Sequence, residues 1–224
     1  MRLVLRIGGS VVGSPINSAL ICRYVDLLKD LRNREHEVAA VVGGGVVARD
    51  FICLAKDLGL DEKVQDNAAI SVSRIFARLL LEKLGDVTCK NVPMSITDAV
   101  GYFEKTKIVV MGGLRPGITT DTVAALIAEK IEADLYVKAT DQDGIYDKDP
   151  RRDSNAVKLE RMSFGDLSRV LSQDKHQAGI HQILDPEAVK ILMKGQVKVI
   201  IVNGFDPRNV SAAIEGKKVG TSIE

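Results

Sequence analysis

Four glycine-bearing turns, each directly behind a β-branched apolar run, constrain this chain more than any other feature. "IGGS" (7–10) follows "RLVLRI" (2–7), and "VGGG" (42–45) follows "EVAAVV" (37–42). "MGGLRPG" (111–117) follows "KIVVM" (107–111), and "TDQDG" (140–144) follows "DLYVKA" (134–139). A fifth run of the same character is "KVIIVN" (198–203). Short runs that are apolar throughout read as strands buried on both faces. Between them, amphipathic segments predict helices near 16–33, 46–58, 64–84, 120–132, 163–173 and 186–194. The last has a clear start: Asp185 as N-cap, Pro186 in the first turn and Glu187 beside the helix dipole. Strands alternating with helices predict an α/β fold with a largely parallel sheet. In such a sheet all four turns open on one edge, where ligands of open α/β sheets bind.

Glycines between strand and helix let the backbone approach a ligand and aim N–H groups at it. The triple glycine of "VVGGGVVARD" (41–50) is followed by no Gly-Lys-Ser/Thr, and its spacing is not G-x-G-x-x-G. It is therefore neither a P-loop nor a dinucleotide fingerprint. Four such turns on one edge suit an extended ligand that carries phosphates.

Composition narrows the partners. Lys+Arg 31 against Asp+Glu 30 excludes a general nucleic-acid surface, so any attraction for anions is local. A chain of 224 residues fits one large domain or two intimately packed lobes. Cys22, Cys53 and Cys89 are far apart and odd in number, which predicts reduced, mostly buried thiols rather than a disulfide framework or a zinc site. The N-terminus runs straight into a strand pattern without signal-peptide architecture, and no apolar run approaches the roughly 20 residues that span a bilayer. The expectation is a soluble, cytoplasmic protein with neither nucleic acid nor membrane as partner.

The inventory of conventional nucleophiles is poor. His36, His176 and His181 lie outside the glycine turns, and no His/Cys/Asp cluster has metal-ligand spacing. That suits an acceptor that is itself a phosphate. A phosphomonoester has a second pKa near about 6, so it is largely ionised at neutral pH and needs no general base. Phosphoryl transfer then needs positioning, Mg²⁺ and cations. Two unit anions about 5 Å apart repel by roughly 3 kcal/mol at an effective dielectric near 20. Cations are therefore required, and Arg6, Arg49 and Lys190 are the candidates.

"RIGGSVV", "VVGGGVVARDF", "MGGLRPGITTDTVAALIAEKIEADL" and "KATDQDGIYDKDP", in this order and spacing, resemble the amino-acid-kinase superfamily, and within it the archaeal-type uridylate (UMP) kinases. The resemblance runs to the terminal "GTSIE", which looks like the family's last strand. It implies an αβα sandwich around a roughly eight-stranded, mostly parallel sheet, assembled as a homohexamer. Residues 1–224 would form one domain, with about 1–105 mainly on the UMP side and about 106–224 mainly on the ATP side. The implied activity is transfer of a phosphoryl group from ATP to UMP, with Mg²⁺.

Position by position, the resemblance puts Gly9, Ser10 and Gly45 on the ATP side and Gly44 facing UMP. Arg49, one helical turn on, would add charge at that junction; its alternative is a solvated helix charge. Asp66 resembles the carboxylate that accepts the ribose hydroxyls, or else is a helix-face acid. Leu114, Arg115, Pro116, Gly117, Ile118, Thr119 and Thr120 resemble the segment that wraps UMP. Asp121 matches the aspartate that orients catalytic cations, while Thr120 and Asp121 are also candidates for capping the following helix. Thr140, Tyr146 and Asp149 match the ATP-side loop, with core packing as the alternative for Tyr146.

Two positions depart from relatives. Arg6 stands where many superfamily members have Lys, and Asp141 where bacterial uridylate kinases have Lys. Asp141 cannot stabilise a transferring phosphate directly, although it is suited to Mg²⁺ or to the base. Lys190 resembles the second superfamily lysine and would share neutralisation of the phosphoryl group with Arg6, unless it is a surface helix lysine. Rival readings are an isopentenyl phosphate kinase, an amino-acid-directed kinase and a non-catalytic storage or sensor protein on the same scaffold. The first carries a His after its glycine loop, and Val46 to Arg49 offers none.

Overall fold

In the computed structural model of the chain, which describes residues 1–148, 150, 153–173 and 183–224, the five apolar runs form adjacent strands. The elements in chain order are β1 (Arg2–Ile7), α1 (Gly9–Val12), α2 (Ser18–Asn33), β2 (Glu37–Val42), α3 (Gly45–Asp57) and α4 (Glu62–Leu84). A 3₁₀ turn at Gly85–Val87 leads to α5 (Ile96–Thr106), β3 (Ile108–Met111), α6 (Thr120–Lys130) and β4 (Leu135–Thr140). Then come β5 (Ile145–Tyr146), β6 (Lys158–Leu159), β7 (Arg161–Met162), α7 (Phe164–Gln173), α8 (Pro186–Lys194), β8 (Lys198–Asn203), α9 (Arg208–Ile214) and β9 (Thr221–Ile223).

Among the described residues the main sheet has seven strands in the order β3-β2-β1-β4-β8-β9-β7, and β5 and β6 form a separate two-stranded ribbon. Where the resemblance implies roughly eight strands the described sheet has seven, and Ile145–Tyr146 pairs outside it with Lys158–Leu159. Strands β3, β2, β1, β4 and β8 are mutually parallel, and β9 enters antiparallel to β8.

Strand residues alternate between two cores. Leu3, Leu5, Val38, Val110 and Val137 face α2, α4 and α9 on one side. Val4, Ala39, Val109, Tyr136 and Ile201 face α5, α6 and α8 on the other. This is the expected αβα sandwich. It explains why the strands read as continuous apolar runs: helices cover both faces of a parallel sheet.

Two local expectations change. Cys89 is buried, but Cys22 and Cys53 are exposed, because each falls on the solvent-facing side of an amphipathic helix, α2 and α3. Helix α5 was not among the helices expected. Its start, Ser95 accepting from Asp98 N at 3.0 Å, follows ordinary capping chemistry, and Gly101 weakens the pattern inside it. The described residues include no helix long and apolar enough to cross a membrane.

Candidate active site

Strand order brings the four glycine turns together. β3, β2, β1 and β4 are consecutive in the sheet, so the turns behind them stand side by side along one edge. The strand order reverses at β1, since β2 lies on one flank of β1 and β4 on the other, and a crevice opens at such a switch point.

The first two turns touch backbone to backbone. Ile7 and Val42 are register partners, and Gly43 N donates to Ile7 O at 3.0 Å. A Cβ on Gly9 would collide with the main chain of Gly43, Gly44 and Gly45, and one on Gly45 with the Gly9 carbonyl. Gly45 also has φ +63°, a left-handed conformation that disfavours any side chain. Immediately behind this contact α3 begins, with Gly44 as an N-cap that offers no side chain. The positive end of a 13-residue helix therefore faces the junction. Ser10 lies in the short helix α1, and Arg49 is exposed one turn into α3.

Beside the junction lies a buried ion cluster. Arg6 of β1 and Lys138 of β4 are direct register partners, on the sheet face that α6 covers. Two cations side by side repel, and burial sharpens the cost. Asp121, the second residue of α6, sits between them. Its Oδ1 lies 2.8 Å from Arg6 Nε, in ion contact without the alignment of a hydrogen bond. Its Oδ2 accepts from Lys138 Nζ at 2.7 Å. Burial pushes the Asp121 carboxyl up, but the two cations outweigh it and hold it below the ordinary carboxylate value. For Lys138, burial dominates: it pulls the ammonium below its ordinary value, Asp121 opposes and Arg6 adds to the effect.

Arg6 is anchored on two further sides. It donates to Ile7 O at 3.1 Å and to Thr120 Oγ1 at 2.7 Å, and its guanidinium lies against Gly43. Lys138 also donates to the carbonyl of Ile183, just before α8. The same stretch supplies Asp185, which accepts from Thr119 Oγ1 (2.5 Å) and Thr122 Oγ1 (2.9 Å) and caps α8 through Ala188 N, as expected. The α6 cap itself is Thr119, whose hydroxyl accepts from Asp121 N and Thr122 N. The expectation that Thr120 and Asp121 cap this helix is corrected: a capping side chain must fold back on its own first turn, and Asp121 points to the sheet.

The opposite wall of the crevice is a loop held by α4. Asp66 Oδ2 accepts from Gly117 N at 2.8 Å, which ties the helix to the segment Leu114 to Thr120. Arg74 donates to Gly113 O and Leu114 O, each at 2.8 Å, and Ser73 Oγ accepts from Gly113 N at 2.8 Å. Gly112 packs so closely on Ser73 and Arg74 that a Cβ would meet their backbone. Arg115, Gly117 and Thr119 are exposed, while Leu114, Pro116, Ile118 and Thr120 are half-buried.

The remaining expected residues divide. Thr140 ends β4, is buried, and donates to Asp141 Oδ1 at 3.1 Å. Tyr146 is half-buried in the β5–β6 ribbon. Asp149, with His176 and His181, falls outside the described residues. Lys190 is not joined to the Arg6–Asp121 pair: its side chain is 72% exposed on α8, 3.6 Å from Glu187. Proline at the start of α8 fixes its first turn, and Lys190 falls on the outer face while Val189 and Leu192 turn inward.

Sequence reasoning missed Lys138, Arg74 and Asp185 as parts of the site. For Lys138 a signal existed, a lysine inside the otherwise apolar "LYVKAT". Arg74 and Ser73 look like any polar residues of a helix. A separate cavity of about 350 Å³, lined by Met1, Asp134, Lys198 and Gly220 among others, lies where β4 and β8 begin. It is at the far edge of the sheet from the glycine turns and takes no part in this site. The described residues hold no cluster of three or more His, Cys, Asp or Glu suited to a metal ion.

Comparison with known proteins identifies the family. The family model of the amino acid kinase family matches residues 1–203. The uridylate kinase of Methanothrix thermoacetophila is 40% identical over 223 residues, covering all of this chain and 99% of that protein. That of Methanocaldococcus jannaschii is 39% identical over 226 residues, covering both chains fully. The crystal structure of uridylate kinase from Archaeoglobus fulgidus superposes with a TM-score of 0.89 at 35% identity, covering all of both chains. With the glycine edge, the switch-point crevice and these full-length likenesses together, the chain belongs to the amino acid kinase family.

Proposed function

We propose that this protein is a uridylate kinase, transferring the γ-phosphoryl group of ATP to UMP to give UDP and ADP. The observation that carries the reading is the backbone contact of Gly9 with Gly43–Gly45 beside Arg6, which leaves two anion-binding turns sharing one junction. One turn alone would hold a single phosphate; two in contact suit a donor and an acceptor phosphate brought together. Full-length identity to archaeal uridylate kinases selects UMP as the acceptor.

In this reading Gly9, Ser10, Gly45, Arg49, Thr140, Tyr146 and Asp149 serve ATP. Gly44, Asp66 and the segment Leu114 to Thr120 serve UMP, with Asp66 on the ribose. Each half of the chain then contributes to both substrates. The UMP phosphate, already ionised, attacks the γ-phosphorus directly, the bond to the ADP oxygen breaks, and no side chain needs to remove a proton. Arg6, fixed by Asp121 and Thr120, supplies positive charge where negative charge develops on the transferring phosphoryl group.

Mg²⁺ fits as a passenger of the nucleotide. It keeps several waters and takes phosphate oxygens with one or two carboxylates, and so needs no protein cage. Asp141, at the end of β4, is the carboxylate suited to it. When bound, Mg²⁺ would neutralise charge on the β- and γ-phosphates.

Exposed Phe51 and Leu54 on α3, Leu58 just after it, and Val64, Ile75 and Leu79 on α4 are apolar side chains suited to the subunit contacts of a homohexamer. Light scattering on the purified protein tests the assembly.

A coupled assay of ADP release tests the function. UMP should be phosphorylated far better than CMP or AMP, because a site built for matched hydrogen bonds rejects a base that leaves buried polar groups unpaired. Comparable kcat/KM for UMP and AMP would sink the uridylate assignment and leave the family intact.

A further inference from the structure

We infer that Lys138, rather than a lysine of α8, is the second cation organised by Asp121, and that it is a positioning residue for phosphoryl transfer. The inference rests on the proposed UMP kinase activity. Three observations carry it.

Lys138 is the register partner of Arg6, on the same face of adjacent strands, so sheet geometry alone puts both cations under the N-terminus of α6. Its relative exposure is 3%, and its ammonium touches Asp121 and the Ile183 carbonyl. A lysine in that environment is not a solvated surface charge, and an apolar residue would fill the position without needing an anion opposite. Lys190, by contrast, is exposed and close to Glu187.

The division of labour follows from depth. Arg6 lies forward, against Gly43 and the glycine junction. Lys138, its side chain 4% exposed against 12% for Arg6, meets Asp121 through the other carboxylate oxygen. With both oxygens occupied, the carboxylate cannot rotate, so Arg6 Nε is held at one position. Lys138 acts on the reaction through Asp121 and not by contact with the nucleotides. Through Ile183 it also joins the stretch that leads to Asp185, whose carboxylate takes the Thr119 and Thr122 hydroxyls. One buried ammonium thereby fixes the starts of α6 and α8 against the same strand.

The test is steady-state kinetics and urea unfolding of Lys138→Met, Lys138→Arg and Asp121→Asn, alone and with Lys138→Met and Asp121→Asn combined. Removing the ammonium leaves Arg6 and Asp121 as a pair but takes the donor from Asp121 Oδ2 and from the Ile183 carbonyl, so Lys138→Met should lower its urea midpoint while staying folded in buffer. It should lose kcat by tenfold or more, with KM for UMP and ATP within about twofold. In the Asp121→Asn background the same substitution should change kcat by less than twofold, because the residue through which Lys138 acts is gone. Wild-type kcat in Lys138→Met, or a kcat loss of equal size in both backgrounds, overturns the inference. Should Lys138→Met fail to fold, Lys138→Arg decides. With a wild-type urea midpoint, kcat within about threefold supports the role of the charge, and a tenfold loss overturns it. Failure of the wild-type protein to make UDP from UMP would instead reject the functional reading on which the inference stands.

Discussion

The floor and the rim of the crevice solve the same problem, attracting phosphate, in opposite ways. On the floor Arg6, Asp121 and Lys138 are almost out of water, in contact with one another, and fixed on adjacent strands and a helix start. On the rim Arg49 and Arg115 are exposed, and Asp66 holds a loop by a single bond to Gly117 N. Buried charges cannot rearrange cheaply, so the floor is set before any ligand arrives and can favour the transition state. Rim groups are solvated until a ligand displaces their water, so they contribute to binding in ground and transition states alike. The contrast predicts that floor substitutions act on kcat and rim substitutions on KM.

Asp121→Asn should break the floor most severely. It leaves Arg6 and Lys138 side by side with no anion, and unpairing buried charge typically costs about 3–5 kcal/mol. Turnover should fall by about 100-fold or more, in the range found on removing one preorganised electrostatic partner. The urea midpoint and kcat report the two losses separately. An intact kcat would return Asp121 to a structural role.

Acid sharpens the same comparison. Because the folded carboxyl of Asp121 is held below its ordinary value, its stabilisation is complete above an unfolded pKa near about 3.9 and is lost as pH falls through the lower folded value. The difference in urea midpoint between wild type and Asp121→Asn should stay level above about pH 5 and narrow below about pH 4. A difference that is flat down to pH 2 would mean that the cations do not depress this carboxyl.

On the rim, Asp66→Asn should raise KM for UMP about tenfold, corresponding to about 1.4 kcal/mol, with kcat within about twofold. The magnitude is modest because the carboxylate is half-exposed and asparagine still accepts from Gly117 N. A selective loss of kcat would place Asp66 among the floor residues and erase the distinction. Lys190→Ala should have the smallest effect, less than about twofold on kcat, since the side chain extends into solvent beside Glu187. A loss of tenfold would bring Lys190 back to the site.

The same contrast governs what the sequence discloses. β1, β2, β8 and α8 match their expected limits, because a strand buried on both faces and an Asp-Pro-Glu helix start are written in consecutive residues. So are the glycine turns. The floor is legible only in part. Arg6 follows from the need for cations near the glycine turns and Asp121 from resemblance, whereas Lys138 reads as one more strand residue. Its importance comes from pairing with Arg6 across 132 residues of chain, and a register between strands is invisible to local periodicity. Arg74 was lost for a similar reason: its partners are carbonyls of another segment, and backbone acceptors carry no residue identity.

The closeness of Gly9 to Gly45 sets a boundary on how this protein can vary. Two main chains in contact leave no room for even one methyl group on either side, so the obstruction is mutual and a second substitution cannot relieve the first. In a library of paired variants these two positions should form a dead zone without compensating combinations. Val46, the neighbour whose exposed side chain leaves the contact, is where diversity can accumulate. Selection for a different acceptor would have to work around a seam that admits no side chain at all.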